Sequence, residues 1–378
     1  MDIKTPPTLI TKPMQLESLA ETLAQQPVIA VDTESNSLYA YRERVCLIQF
    51  STPDADYLVD PLALQDLSIL RPLFADPQIE KIFHAAEYDL LCLKRDFGFT
   101  FCNLFDTMLA ARILNRPKIG LGDLLEAEFG VHLKKKFQRA DWGKRPLPPE
   151  MISYARLDTH YLIPLRDHLR KALGQTQFWP IAEEDFKRLC EVNGNLPGPP
   201  ETDIWHMRGA NELSPQQMAV LQELVDYRAQ KAEKLNRPLF KVISDKTLVE
   251  LAEREPGSLK DLPDIHGMTR RQIGHHGHAI LQAVQRGLAA EPPRRPSRPR
   301  PDDSFLRRLD SLRNWRKRTA RKLGVESDVV MPRVLLDKMA TKNPLTRDEL
   351  KAVLDSVPWR LEHFGDELLK TLERENRH

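Results

Sequence analysis

The first half of the chain carries short strand-like apolar runs at Val28–Val31, Val45–Phe50, Tyr57–Val59 and Lys81–Phe83. Around them, near residues 15–25, 64–74, 87–96, 106–115 and 149–172, apolar positions recur every three or four residues, the period of a helix with one buried face. Strands too apolar to alternate need cover on both faces, so this order predicts an α/β domain. Beyond residue 212 the strand pattern fades and helical spacing remains. Two proline-rich stretches, Asn193–Pro200 and Glu291–Pro301, interrupt the pattern. Proline lacks the amide donor and restricts the residue before it, so neither stretch sustains a helix or a central strand. The expected organisation is an α/β domain over 1–195, a linker over 196–211, a helical domain over 212–290, a Pro/Arg-rich linker over 291–303 and a second helical domain over 304–378.

The two helical pieces match each other at a constant, gap-free offset of 88. Leu221, Leu224, Tyr227, Arg228, Ala232 and Leu235 pair with Leu309, Leu312, Trp315, Arg316, Ala320 and Leu323. Further along, Leu248, Ala252, Pro256, Leu262, Gly277 and Leu281 pair with Leu336, Ala340, Pro344, Leu350, Gly365 and Leu369. Core-type and turn-type residues keep their places while others drift, which predicts two copies of one small helical fold with a structural turn at Gly277.

Composition narrows the function classes. At 41% apolar over 378 residues the chain can bury real cores, and no run of eighteen apolar residues suggests a membrane span. The opening Met-Asp-Ile-Lys-Thr-Pro-Pro has neither signal-peptide order nor an amphipathic presequence, so a soluble, cytoplasmic protein is expected. Cys46, Cys92, Cys102 and Cys190 show no CxxC pair and no His at zinc spacing, and read as small buried hydrophobes. The stretch 291–324 holds twelve Lys/Arg against four acids, a local +8 on a chain of net +2. Such a segment suits the phosphate backbone of a nucleic acid, and equally suits a solvated helix beside a Pro/Arg linker.

Candidate chemistry lies in the carboxylates. The run Val28–Val31 ends in Asp32-Thr-Glu34, and a period of two puts Asp32 and Glu34 on one face of a strand. Two like charges that close favour a divalent cation between them, although Asp-Thr-Glu-Ser-Asn-Ser by itself reads more naturally as a turn or cap. After Phe83-His84, Asp89 falls near the first turn of a helix, where a negative charge is favourable in any case. Tyr154 and Asp158, four apart, share one helical face, as a plain surface pair also would. Pro164 is expected to kink that helix.

Together D-x-E, Asp and Y-x3-D resemble the ribonuclease D family of the DEDD exonuclease superfamily. Lys135-Lys-Phe-Gln138-Arg-Ala-Asp141-Trp142-Gly-Lys-Arg145-Pro-Leu147 resembles that family's K-x2-Q-x2-DW…RPL segment. The resemblance implies a ribonuclease H-like fold, a mixed sheet flanked by helices, with Asp32, Glu34, Asp89 and Asp158 as metal ligands and Tyr154 orienting the attacking water. Residue 153 is Ser, so the H-x4-D pattern of the sister subclass is absent. Both helical copies resemble HRDC domains; the first carries Asn236-Arg-Pro238 and Ile265-His-Gly267, and the second departs where Val325-Glu-Ser-Asp replaces the Asn-Arg-Pro turn. Lys135, Gln138, Trp142 and Arg145, with Arg316 and Arg318 of the basic stretch, are candidate RNA contacts.

Four hard oxygen ligands without His or Cys favour Mg²⁺ or Mn²⁺ over Zn²⁺. Two such ions would neutralise both the attacking and the leaving oxygen of a phosphodiester, with no organic cofactor. The resemblance supplies the 3′→5′ direction, the release of nucleoside 5′-monophosphates and tRNA precursors as substrates. Two other readings stay open: a Werner-like DNA exonuclease, because carboxylates do not tell ribose from deoxyribose, and a non-catalytic HRDC nucleic-acid-binding protein, which the complete set of five motif residues opposes. Three remaining features have ordinary explanations. Gly120-Leu-Gly122-Asp123 reads as a helix entry, Asp106 as a helix N-cap rather than a fifth ligand, and His275, His276 and His278 as solvated helix-end residues rather than a metal site.

Overall fold

A computed structural model of the chain describes residues 5–134, 136–192, 202–296 and 302–376. The chain divides into two compact units, one of Met1–Glu34, Val45–Leu196 and Arg300–His378 and the other of Ser35–Arg44 and Pro197–Pro299.

In the first unit, six strands form one sheet: β1 (Thr8–Ile10), β2 (Val28–Ser35), β3 (Val45–Ser51), β4 (Asp56–Val59), β5 (Glu80–Phe83) and β6 (Leu104–Asp106), in the order β1-β4-β3-β2-β5-β6. β1 runs parallel to β4, β3 antiparallel to β4, and β2, β5 and β6 parallel to one another, giving the expected mixed sheet. Ile29, Ala30 and Val31 are fully buried, so β2 is the central strand that its unbroken apolar run predicts. Ile29 and Val31 pack with α1 (Pro13–Ala24), α2 (Arg71–Ala75) and α3 (Glu87–Phe97). Val28 and Ala30 face α4 (Thr107–Ile113) and α5 (Leu121–Phe129).

The helix expected over 149–172 is three helices, α6 (Pro149–Ala155), α7 (Leu157–His160) and α8 (Leu162–Gly174). Pro164 does not kink it: the breaks fall earlier, and Pro164 stands in the first turn of α8, where its missing amide leaves no bond unmade. α9 (Trp179–Cys190) completes the cover of this face, with Ile181, Ala182 and Phe186 in the core.

The second unit holds α10 (Pro215–Leu235), α11 (Leu239–Val242), α12 (Asp245–Arg254) and α13 (Arg270–Ala289). Ile204, Met207 and Ala210, which were expected in a linker, are buried in its core. Residues 35–44 belong here too: the Tyr41 amide donates to Asn236 Oδ1 at 3.2 Å and the Lys241 ammonium sits 3.6 Å from the centre of the Tyr39 ring.

Within the first unit, α14 (Asp303–Leu323), α15 (Ser327–Val330), α16 (Arg333–Lys342) and, past α17 (Arg347–Val353), α18 (Pro358–Asn376) repeat this design. Each of α14, α15, α16 and α18 begins 88 residues after its counterpart. The repeat extends to single bonds, for Arg228 Nη1 donates to the Ile243 carbonyl at 3.1 Å and Arg316 Nη1 to the Met331 carbonyl at 3.0 Å. α10 ends on Asn236 at φ 46° and α14 on Gly324 at φ 68°, so the left-handed cap survives where the Asn-Arg-Pro turn is lost. Gly277 is a correction: it lies inside α13, not at a turn, and an added Cβ would come within 2.8 Å of Leu259 Cδ2. Close helix packing, not backbone freedom, accounts for glycine at this position.

α18 is fastened to the α/β side of its unit by one fully buried arginine. Arg360 donates to Glu184 at 2.8 Å, to Asp185 at 2.9 Å and to the Val330 and Val329 carbonyls, and Glu184 also accepts the Trp359 amide. Burial raises the Glu184 carboxyl against the lowering influence of Arg360. Such a pair adds little net stability over an apolar contact, but breaking it strands a buried charge. Arg360→Met is therefore expected to lower the unfolding free energy in urea by about 3–5 kcal/mol, with part regained in the Arg360→Met/Glu184→Gln double variant. Strictly additive losses would mean that the two residues are not coupled.

Candidate active site

β2 leaves the core at Asp32, and the period of the strand brings Asp32 and Glu34 onto one side. Both line a cavity of about 390 Å³ together with Thr33, His84, Tyr154, Leu157 and Asp158. Its other wall is Gly120–Asp123, Leu133, Lys134 and Gln138. Asp89, in the first turn of α3, lies behind this lining at 8% exposure and accepts a hydrogen bond from the Thr33 hydroxyl. The threonine between the two strand carboxylates thus ties β2 to α3.

The four carboxylates share one field. Burial raises all of them, and the charge of Asp89 adds to the rise for Asp32, Glu34 and Asp158; Asp89 and Asp158 are pushed up to about 7 and Glu34 to about 9. For Asp89 burial acts first, the Thr33 bond opposes it and Asp106 adds to it. Burial and these anions also raise the Tyr154 hydroxyl above its ordinary value. Hard oxygen donors that repel one another in a desolvated pocket fit a divalent cation, which reverses the local preference for protonation. Among the described residues no three His, Cys, Asp or Glu side chains already converge to chelating distance.

Tyr154 and Asp158 owe their place to a buried clamp beneath α6 and α7. Arg156 and His160 flank Asp158 in sequence, and both reach Asp56: Arg156 Nη2 at 2.5 Å and Nε at 3.0 Å, His160 Nδ1 at 2.9 Å. Ser51 of β3 donates to the same carboxylate at 2.7 Å and lies 2.7 Å from Thr159 Oγ1. Burial works to raise Asp56, but the hydrogen bonds of His160 and Ser51 and the charges of His160 and Arg156 hold it below the usual carboxylate range. An anion kept charged at this point pins α7 on both sides of Asp158.

The other candidates differ in burial and in partners. Gln138 is exposed on the cavity wall, while Lys135 lies outside the described residues. Trp142 is 1% exposed and packs 6.2 Å from the Tyr154 ring, so it supports the tyrosine and cannot stack on a base. Arg145 is spent on Asp60 and on the carbonyls of Cys46, Trp142 and Lys144. Arg316 is the internal counterpart of Arg228, whereas Arg318 is exposed on α14. Asp106 is the expected N-cap, accepting the Met108 and Leu109 amides, and it also takes those of Ala85 and Ala86. Gly120–Asp123 does enter α5, and its place on the cavity wall was not visible in its spacing. His276 is buried against the Tyr227 hydroxyl at 2.7 Å rather than solvated.

The sign of the pH dependence follows. Carboxylates whose folded pKa is raised favour the folded state while protonated. That contribution is full below about pH 4, where the unfolded chain is protonated too, and is lost as pH rises through 7 and then 9. In chelator, the Tm is expected to fall between about pH 5 and 9, and Asp158→Asn to flatten that fall. A Tm rising across this window would contradict a shared buried site.

Residues 7–174 match the family described as 3′-5′ exonuclease, and residues 217–284 and 305–372 each match the HRDC domain. Protein RRP6-like 3 of Arabidopsis thaliana is 49% identical over 182 residues, covering 47% of this chain and 20% of that protein. Exosome complex component 10 of Mus musculus is 33% identical over 299 residues, covering 75% of this chain and 34% of that protein. The chain therefore spans less than half the length of these curated relatives. Among solved structures, Escherichia coli RNase D, an exoribonuclease involved in structured RNA processing, matches with a TM-score of 0.69 at 26% identity, over 98% of this chain and 99% of its own. A sheet carrying the D-x-E, Asp and Y-x3-D residues, followed by two helical copies, thus makes the chain a DEDD 3′-5′ exonuclease domain joined to two HRDC domains, similar in structure to E. coli RNase D and in sequence to RRP6 proteins.

Proposed function

We propose that the chain is a 3′→5′ exoribonuclease that removes nucleoside 5′-monophosphates from RNA 3′ ends, with two divalent cations, Mg²⁺ or Mn²⁺, held by Asp32, Glu34, Asp89 and Asp158. The observation that carries this reading is the burial of four carboxylates from β2, α3 and α7 close enough for Asp89 to raise the other three, an arrangement unfavourable unless a cation compensates it. When bound, the cations would acidify a water and neutralise charge on the phosphoryl oxygens. Tyr154, raised above its ordinary pKa, keeps its proton and orients that water by hydrogen bonding. Its ring is held by Phe137 at 5.7 Å and Trp142 at 6.2 Å. Thr33 fixes Asp89, and the Asp56 clamp fixes Asp158.

Structured RNA precursors such as those of tRNA are the proposed substrates. The processing of structured RNA by the similar E. coli enzyme supports this reading, and so does the row of exposed cations Arg307, Arg313, Lys317, Arg318, Arg321 and Lys322 on α14. The similarity to exosome complex component 10 makes protein partners a further object of test. No described helix is long and apolar enough to cross a membrane, and the cytoplasm is the proposed compartment.

Asp158→Asn keeps the shape and removes one ligand charge, so trimming should fall on the order of a hundredfold or more while RNA binding in Ca²⁺ persists. Full activity in Mg²⁺ would overturn the assignment. Tyr154→Phe should lower kcat by about a hundredfold with the fold intact. Replacing Arg313, Lys317, Arg318 and Arg321 with Gln should weaken binding of a tRNA-like precursor and flatten its salt dependence by about 0.7–0.9 for each phosphate no longer neutralised. Trimming of a short single-stranded oligomer should hardly change, and an unaltered salt slope on the precursor would mean that α14 does not touch phosphate.

A further inference from the structure

His84 follows β5 and lines the catalytic cavity beside Asp32, Glu34, Tyr154 and Asp158. Its backbone is held rigidly. Ala85 adopts φ 63°, a left-handed conformation unfavourable for an L-residue, and the Ala85 and Ala86 amides both donate to the Asp106 carboxylate, at 3.2 and 2.7 Å. A side chain at such a fixed turn has a defined direction.

The hydrogen bonds also define its tautomer. His84 Nδ1 lies 2.9 Å from Thr107 Oγ1, and the Thr107 hydroxyl donates its single proton to the Phe83 carbonyl at 3.1 Å. With the hydroxyl proton directed at the Phe83 carbonyl, the threonine oxygen accepts from the ring, an arrangement that puts the proton on Nδ1 and leaves Nε2 as the acceptor. Burial keeps the ring neutral, against the charge of Asp106. Among the described residues no protein group hydrogen-bonds to Nε2.

An acceptor nitrogen on a residue lining this cavity can take a hydrogen bond from a donor on the substrate. A phosphodiester has none to give, whereas the terminal ribose offers two hydroxyls. We propose that His84 is a sugar-reading residue, whose Nε2 accepts a hydrogen bond from a hydroxyl of the 3′-terminal ribose. This rests on the exoribonuclease reading and deepens it, because it supplies the ribose contact that the metal-binding carboxylates cannot.

The test uses three oligoribonucleotides that differ only in their last sugar: ribose, 2′-deoxyribose or 3′-deoxyribose. The full-length wild-type protein should prefer the all-ribose strand in kcat/KM by about tenfold over at least one of the other two, and that arm identifies the hydroxyl. His84→Phe, which keeps a ring but no acceptor, should bring this ratio close to one, the loss falling mainly on the all-ribose strand. His84→Gln, which keeps an acceptor oxygen, should restore part of the preference. Equal losses on all three strands would overturn the proposal in favour of a role in packing or in the chemistry itself. A wild-type protein that trims all three equally would overturn it without any variant, even if His84→Phe fails to fold. Trimming of none would overturn the exoribonuclease reading, and this contact with it.

Discussion

Burial of four neighbouring carboxylates, Asp32, Glu34, Asp89 and Asp158, with the repulsion it sharpens, is the constraint around which the nuclease side of the molecule is arranged. Four anions do not stay together in a desolvated pocket unless their backbones allow no retreat. Each therefore comes from an element held for other reasons: Asp32 and Glu34 from the central strand, Asp89 from a helix tied back to that strand by Thr33, and Asp158 from a helix anchored on Asp56. The site is poised for cation binding because the fold, and not the carboxylates themselves, bears the strain of bringing them together.

Buried ion pairs do the anchoring. Asp56 with Arg156 under α7, Glu80 with Arg166 between β5 and α8, and Glu184 with Arg360 between α9 and α18 are all removed from water. Pairs of this kind contribute modest net stability but specify geometry, since a misplaced partner leaves a charge uncompensated. The first of them fixes α7, which carries Asp158, and the last joins the C-terminal helical copy to the α/β core.

Much of this was legible in the sequence wherever burial imposed a period. The run Val28–Val31 is apolar on both faces because it is covered on both, and the 88-residue offset survives because both copies keep the same helix starts and the same arginine-to-carbonyl bond. β1 and β6 escaped notice, since three-residue edge strands carry no usable period. Trp142, Arg145 and Arg316 show why such residues are hard to read from sequence: aromatic and guanidinium groups serve packing and phosphate binding alike, and here Trp142 is buried while Arg145 and Arg316 bond to Asp60 and to the Met331 carbonyl. Asp56 and His84 gave no signal at all. A lone acid or histidine has no spacing to betray it, and each acquires its role from partners distant in the chain.

The most direct measurement follows a 5′-labelled single-stranded oligoribonucleotide through its digestion with and without Mg²⁺ or Mn²⁺. If the buried carboxylates form one metal-dependent exonuclease site, the label should pass down a ladder of single-nucleotide steps from the 3′ end, with nucleoside 5′-monophosphates released only when the divalent ion is present. Internal cuts, or shortening that proceeds unchanged in chelator, would contradict it.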